Sequence, residues 1–142
     1  MSKKTAKTKP KKMWTRKKLS TVFFYEMQFD VIARGDWSDR ARMLTPCDTC
    51  PRGLLEVGID TLWQDSLASL VHELVEFALT FQRKSYEPIN RWKCTSSCRL
   101  FVFQHNDFDE AVARCGEPLA VLVPELANAW NEFHDEAEKE TP

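Results

Sequence analysis

"LLEVGIDTLWQDSLASLVHELVEFALTF", residues 54 to 81, contains one change of period, and that change decides the fold. Leu55, Val57 and Ile59 fall on alternate positions, the two-residue repeat of a strand with one buried face. From Leu62 the repeat lengthens. Trp63, Leu67, Leu70, Val71, Leu74, Ala78 and Phe81 recur at three and four, which predicts an amphipathic helix from Leu62 to about Arg83. Asp60 and Thr61 stand at the junction, where either can cap the helix.

Upstream, "STVFFYEMQFDVIA" (20–33) alternates with Phe23, Tyr25, Met27, Phe29 and Val31 on one side, predicting a first strand. "RGDWSDRARMLTPCDTCPRG" (34–53) is rich in Asp, Arg, Pro and Gly and predicts a long loop. Downstream, "KSYEPINRWKCTSSC" (84–98) ends the helix, and "RLFVF" (99–103) is short and β-prone enough for a third strand. Asn106 can then cap a second helix with Asp109 at its third position and Phe108, Val112, Cys115, Leu119 and Leu122 on one stripe. Pro118 and Pro124 interrupt it. A helix-interior proline costs roughly 3 kcal/mol, so two helical pieces are expected. The predicted fold is α+β, a small sheet of two or three strands packed against two long helical segments, the second broken near Pro118 and Pro124.

The chain has 142 residues, 43% hydrophobic and 29% charged, which suits one domain. Its net charge of −1 is unevenly spread. Met1 to Lys18 carries Lys3, Lys4, Lys7, Lys9, Lys11, Lys12, Arg16, Lys17 and Lys18 with no acid. The expected organisation is a disordered basic tail over 1–18 and a single domain over 19–142. Those nine cations are candidate nucleic-acid contacts, with a solvated tail as the plain alternative. No apolar run is long enough to span a bilayer and no apolar stretch follows the N-terminal charge, so a cytoplasmic protein without membrane partners is expected.

Two constellations can carry chemistry. His72 and Glu76 are four apart on the predicted helix, on one face, where they can grip one ion together. Glu73 stands where an H-E-x-x-H enzyme keeps the base that takes a proton from water on the metal. A third ligand must come from elsewhere, and His105 is the best placed. The same spacing also describes an ordinary solvent face shared with Asp65 and Ser69. The second constellation is C-x2-C at Cys47 and Cys50 with C-x3-C at Cys94 and Cys98, the way structural zinc is commonly clasped by four thiolates. Cys115, on the second helix's apolar stripe, is a core residue by the same logic.

"VGID", "SLVHELVE" and "QHNDFDEAV", in that order over about residues 54–125, resemble small zincin-like proteins of phages and mobile elements, some of which carry H-E-x-x-E. The resemblance implies a metal, zinc in the first instance, held by His72, Glu76 and His105, with Glu73 as general base. It implies a metal-dependent hydrolase, peptidase-like or a degenerate relative, acting on a protein or peptide in a host cytoplasm. Glu76 departs from the second histidine of H-E-x-x-H, and an anionic ligand makes a weaker Lewis acid of the ion. The alternative is a non-catalytic, zinc-stabilised binding protein whose basic tail engages nucleic acid. There is no glycine-rich phosphate loop and no serine in a nucleophile elbow.

Overall fold

The structure, a computed structural model, describes residues 14–38, 40–82, 85–86, 100–101 and 104–140. The change of period at Leu62 is present as expected. Strand β4 covers Gly53–Gly58, and helix α1 covers Trp63–Phe81. Before them come β1 (Arg16–Phe24), β2 (Met27–Arg34) and β3 (Ala41–Leu44), and after them β5 (Ser85–Tyr86), β6 (Leu100–Phe101) and α2 (His105–Glu140). The main sheet has the order β1-β2-β4-β3, with β2 and β4 parallel and both edge strands antiparallel to their neighbours. β5 and β6 form a separate antiparallel pair. The architecture is the expected α+β arrangement of a small sheet and two long helices, with four strands in the main sheet.

One face of that sheet is covered. Phe29, Val31 and Ala33 of β2 and Leu55 and Val57 of β4 are fully buried or nearly so, and they meet Leu70, Leu74, Phe77 and Ala78 of α1. α2 lies against α1 and β1, adding Ala111, Cys115, Leu122, Leu126, Ala129 and Phe133 to the same core. Cys115 is the core thiol its stripe predicts. Its Sγ donates to the Ala111 carbonyl at 3.1 Å, and burial pushes its pKa up to about 11.

Five expectations about elements need correction. The segment 20–33 is not one strand but the second half of β1, a two-residue turn at Tyr25 and Glu26, and most of β2. Both turn residues have positive φ (48° and 63°), the conformation that matches the twist of a tight hairpin. Tyr25 is held there by its ring, 4.4 Å from Phe81 and 4.9 Å from Phe24 between centroids, and by a hydrogen bond from Gln82 to its hydroxyl. The loop 34–53 contains β3. Neither Asp60 nor Thr61 caps α1, whose N-cap position is Leu62 with no side-chain cap. Ser66 in the first turn is fully buried and donates to the Gly58 carbonyl. The second helix begins earlier than a cap at Asn106 would have it, at His105, and the Asp107 carboxylate in its first turn accepts from the Gln104 N–H at 2.8 Å.

The last correction concerns the prolines, since α2 runs unbroken through Pro118 and Pro124. A proline frees the carbonyl four residues back, here those of Arg114 and Ala120. Both residues stand on the exposed side of α2, where water can take the orphaned oxygens. The buried stripe of Ala111, Cys115, Pro118, Leu122, Leu126, Ala129 and Phe133 continues across both prolines, and breaking the helix would strand half of it. Packing outweighs the local cost.

Candidate metal centre

α1 presents its buried face to the sheet through Leu70, Leu74, Phe77 and Ala78, which turns His72 outward and leaves Glu73 and Glu76 half-buried. Ligand atoms of His72, Glu73 and Glu76 all lie within 4.8 Å of one another. The closest pair is His72 Nε2 and Glu76 Oε2 at 3.1 Å, the one-turn contact that the i, i+4 spacing predicts. Burial, then the charge of Glu76, pushes the Glu73 carboxyl above its ordinary pKa, against the opposing effects of His72 and a hydrogen bond with the backbone of Met43.

Two neighbours shape the approach. On one side, β3 and the residues around it line shallow clefts over the cluster, one with Arg40, Ala41 and Ser69 beside His72 and Glu73, the other with Met43, Leu44 and Thr45 beside Glu73 and Glu76. On the other side, a groove of about 640 Å³ is walled by Leu67, Val71, Val75, Leu79 and Phe108 and reaches His72 and Glu76. A polar cluster therefore stands at the rim of an apolar trough. One imidazole and two carboxylates are a donor set that zinc or manganese accepts, so the residues present fit a divalent ion.

His105 does not join them. It is the first residue of α2, highly exposed, and its Nε2 lies 3.4 Å from Asp109 Oδ2 one turn along its own helix. The ligand set implied by the resemblance is thus brought together at His72 and Glu76 but not at His105, and the Glu73 carboxylate converges beside these two. Phe108, one turn beyond His105, is the residue of α2 that reaches the groove.

Half of the cysteine constellation is visible. Cys47 and Cys50 face each other across a two-residue turn, Cys47 N–H donating to the Cys50 carbonyl at 2.8 Å and Cys50 N–H to the Cys47 carbonyl at 3.0 Å. Both thiols are exposed. The Thr49 hydroxyl, 3.4 Å from Cys47 Sγ, leads the contacts that lower the Cys47 pKa, followed by the Thr49 backbone and the Cys50 thiol. That bias toward thiolate is what a metal ligand requires. Cys94 and Cys98 lie outside the described residues, as do Lys3, Lys4, Lys7, Lys9, Lys11 and Lys12. Arg16, Lys17 and Lys18, expected in the disordered tail, belong to β1 and are paired with Glu56, Glu132 and Asp30.

Sequence reasoning missed the carboxylate with the least exposed surface among the described residues. Glu56, on the face of β4 turned away from the helices, has no exposed surface and binds Arg34 at 2.8 Å, Arg16 at 3.0 Å and Arg42 at 2.6 Å. The signal was a lone acid in "LLEVG" among segments rich in arginine, but three partners from three other strands are invisible without the register. No family model, curated protein or solved structure matches this chain.

Proposed function

We propose that this protein is a divalent-metal-dependent hydrolase with its centre at His72, Glu73 and Glu76. The observation that supports it is the convergence of these three donors within 4.8 Å at the rim of an apolar groove. His72 and Glu76 hold the ion, in keeping with the zincin-like resemblance. The metal, when bound, contributes Lewis acidity that brings the pKa of water toward about 7. Glu73 is the general base. Its half-buried carboxylate converges on His72 and Glu76, close enough to take a proton there. Leu67, Val71, Val75, Leu79 and Phe108 would take an apolar part of the substrate, a peptide in this reading, and place its scissile bond beside Glu73.

The test separates holding from turnover. Manganese, which prefers oxygen and nitrogen donors to thiolates, is titrated calorimetrically into the wild type, Glu73→Gln and His72→Ala. Wild type and Glu73→Gln should bind one ion at this site, and His72→Ala should bind it at least about tenfold more weakly, the loss expected when a ligand is removed. A fluorogenic peptide library should be cleaved by wild type and not by Glu73→Gln. Metal binding indifferent to His72→Ala would remove the centre. Binding at His72 without turnover by the wild type would leave the non-catalytic reading in its place.

A further inference from the structure

The helices cover one face of the main sheet; the charge lies on the other. Register places two cross-strand rows there. Lys18, Ile32, Glu56 and Arg42 stand side by side across all four strands, and beside them run Arg16, Arg34 and Gly58. Over Gly58 lies Trp37, so close that a Cβ at Gly58 would sit 2.9 Å from the Trp37 Cβ and 2.7 Å from its carbonyl oxygen. Around the Trp37 ring stand three guanidinium groups, Arg40 at 4.2 Å, Arg34 at 4.3 Å and Arg42 at 5.2 Å from its centroid. Arg52 reaches the same face at Asp30, 3.5 Å away.

We propose that this open face is a binding surface for single-stranded nucleic acid. Among the described residues, its six cations, Arg16, Lys18, Arg34, Arg40, Arg42 and Arg52, share three carboxylates, Asp30, Asp36 and Glu56, a positive excess even with the ion pairs formed. Glu56, fully buried, fixes three guanidinium groups without consuming their five donors each, and Trp37 fixes a fourth by stacking. Planar donors held in place are suited to phosphate oxygens. Phe23, 67% exposed and paired with Gln28 on the same face, offers a ring on which an unpaired base can stack. A single strand can lie flat over a sheet and present both phosphates and bases, which a duplex cannot.

Charge elsewhere points the same way. α2, on the opposite side of the sheet, carries Asp107, Asp109, Glu110, Glu117, Glu125, Glu132, Asp135, Glu136 and Glu138 against Arg114 and Lys139. An anionic polymer is attracted to the sheet side and repelled from the helix side. In the sequence, the lysines at 3, 4, 7, 9, 11 and 12 precede β1, whose first residue, Arg16, belongs to this surface.

The experiment is fluorescence anisotropy with a labelled twenty-nucleotide oligothymidylate and the full chain, over a series of salt concentrations. Three proteins are compared: wild type, the double variant Arg40→Glu with Arg52→Glu, and a variant with lysines 3, 4, 7, 9, 11 and 12 changed to Gln. The double variant should bind at least tenfold more weakly at low salt with its thermal unfolding unchanged, and the slope of log K against log salt should be shallower by about 0.7 for each phosphate that the protein no longer neutralises. The lysine variant should keep measurable binding through the face. Loss of all binding in the lysine variant with an unaffected double variant would overturn the proposal, as would equal affinity for a duplex of the same length.

Discussion

Glu56 shows how much one residue can organise. Burial alone would push its carboxyl pKa up, but the guanidinium groups of Arg34 and Arg42 outweigh that and hold it below its ordinary value of 4.5. A depressed folded pKa means that the carboxylate's contribution to stability is fully present above the unfolded pKa and is lost as pH falls through the folded one. The protein should therefore lose stability below about pH 4, where carboxylates such as this one protonate. Glu56→Gln removes the charge and leaves Arg34, Arg16 and Arg42 around a neutral group, which should cost about 3 kcal/mol in urea unfolding at pH 7 and flatten the acid limb. A change of less than about 0.5 kcal/mol would show the arginines to be satisfied by solvent instead. His72, Glu73 and Glu76 were legible as a group from spacing, because three residues within one helical turn carry their geometry in the sequence. His105 was not, since its distance from α1 depends on how two helices pack.

At the scale of elements, the hairpin β1–β2 explains what local pattern can hide. Apolar alternation runs on through Phe23, Tyr25, Met27 and Phe29, and no Gly or Asn marks the turn, so the segment resembles a single strand. The inward residues of β2, Phe29 and Val31, follow that parity, but in β1 it is Val22 and Phe24 that point inward and Phe23 that faces solvent. Tertiary packing of Tyr25 on Phe24 and Phe81 stabilises a turn that its sequence disfavours. The two turn residues differ in what they return for the strain. Glu26 is exposed and at φ 63°, so Glu26→Gly should remove a left-handed penalty of about 1 kcal/mol, partly offset by the entropy of a freer unfolded chain, and raise the thermal midpoint. Tyr25→Gly relieves the same kind of strain but removes the ring from Phe24 and Phe81, and should lower it. If Glu26→Gly is destabilising, the turn is not strained at that position. α2 went unread as one helix for a related reason: the proline cost is local, while the stripe that outweighs it spans 111 to 133.

For the whole molecule, the change of period at Leu62 was plain in the sequence and corresponds to a real division, a core between the sheet and two helices; the basic run over 1–18 does not mark the charged sheet face opposite, to which Arg34, Arg40, Arg42 and Arg52 also contribute. What composition could not show is that Arg16, Lys17 and Lys18 belong to the first strand and tie it to Glu56, Glu132 and Asp30. The thiols raise a question of the same scale, because Cys47 and Cys50 lie between β3 and β4 while Cys94 and Cys98 lie more than forty residues further on. If the four clasp one zinc, the ion closes a long loop of chain and its binding energy is folding energy. The C-x2-C turn already brings two exposed thiols together with Cys47 biased toward thiolate. The protein purified with zinc present should then carry one tightly held equivalent that survives His72→Ala and is lost in Cys47→Ser, and chelation should lower the thermal midpoint of the first variant but not of the second. Zinc content unchanged by Cys47→Ser would mean that the pair is a free dithiol and that the connection between β3 and β4 is held by its own hydrogen bonds alone.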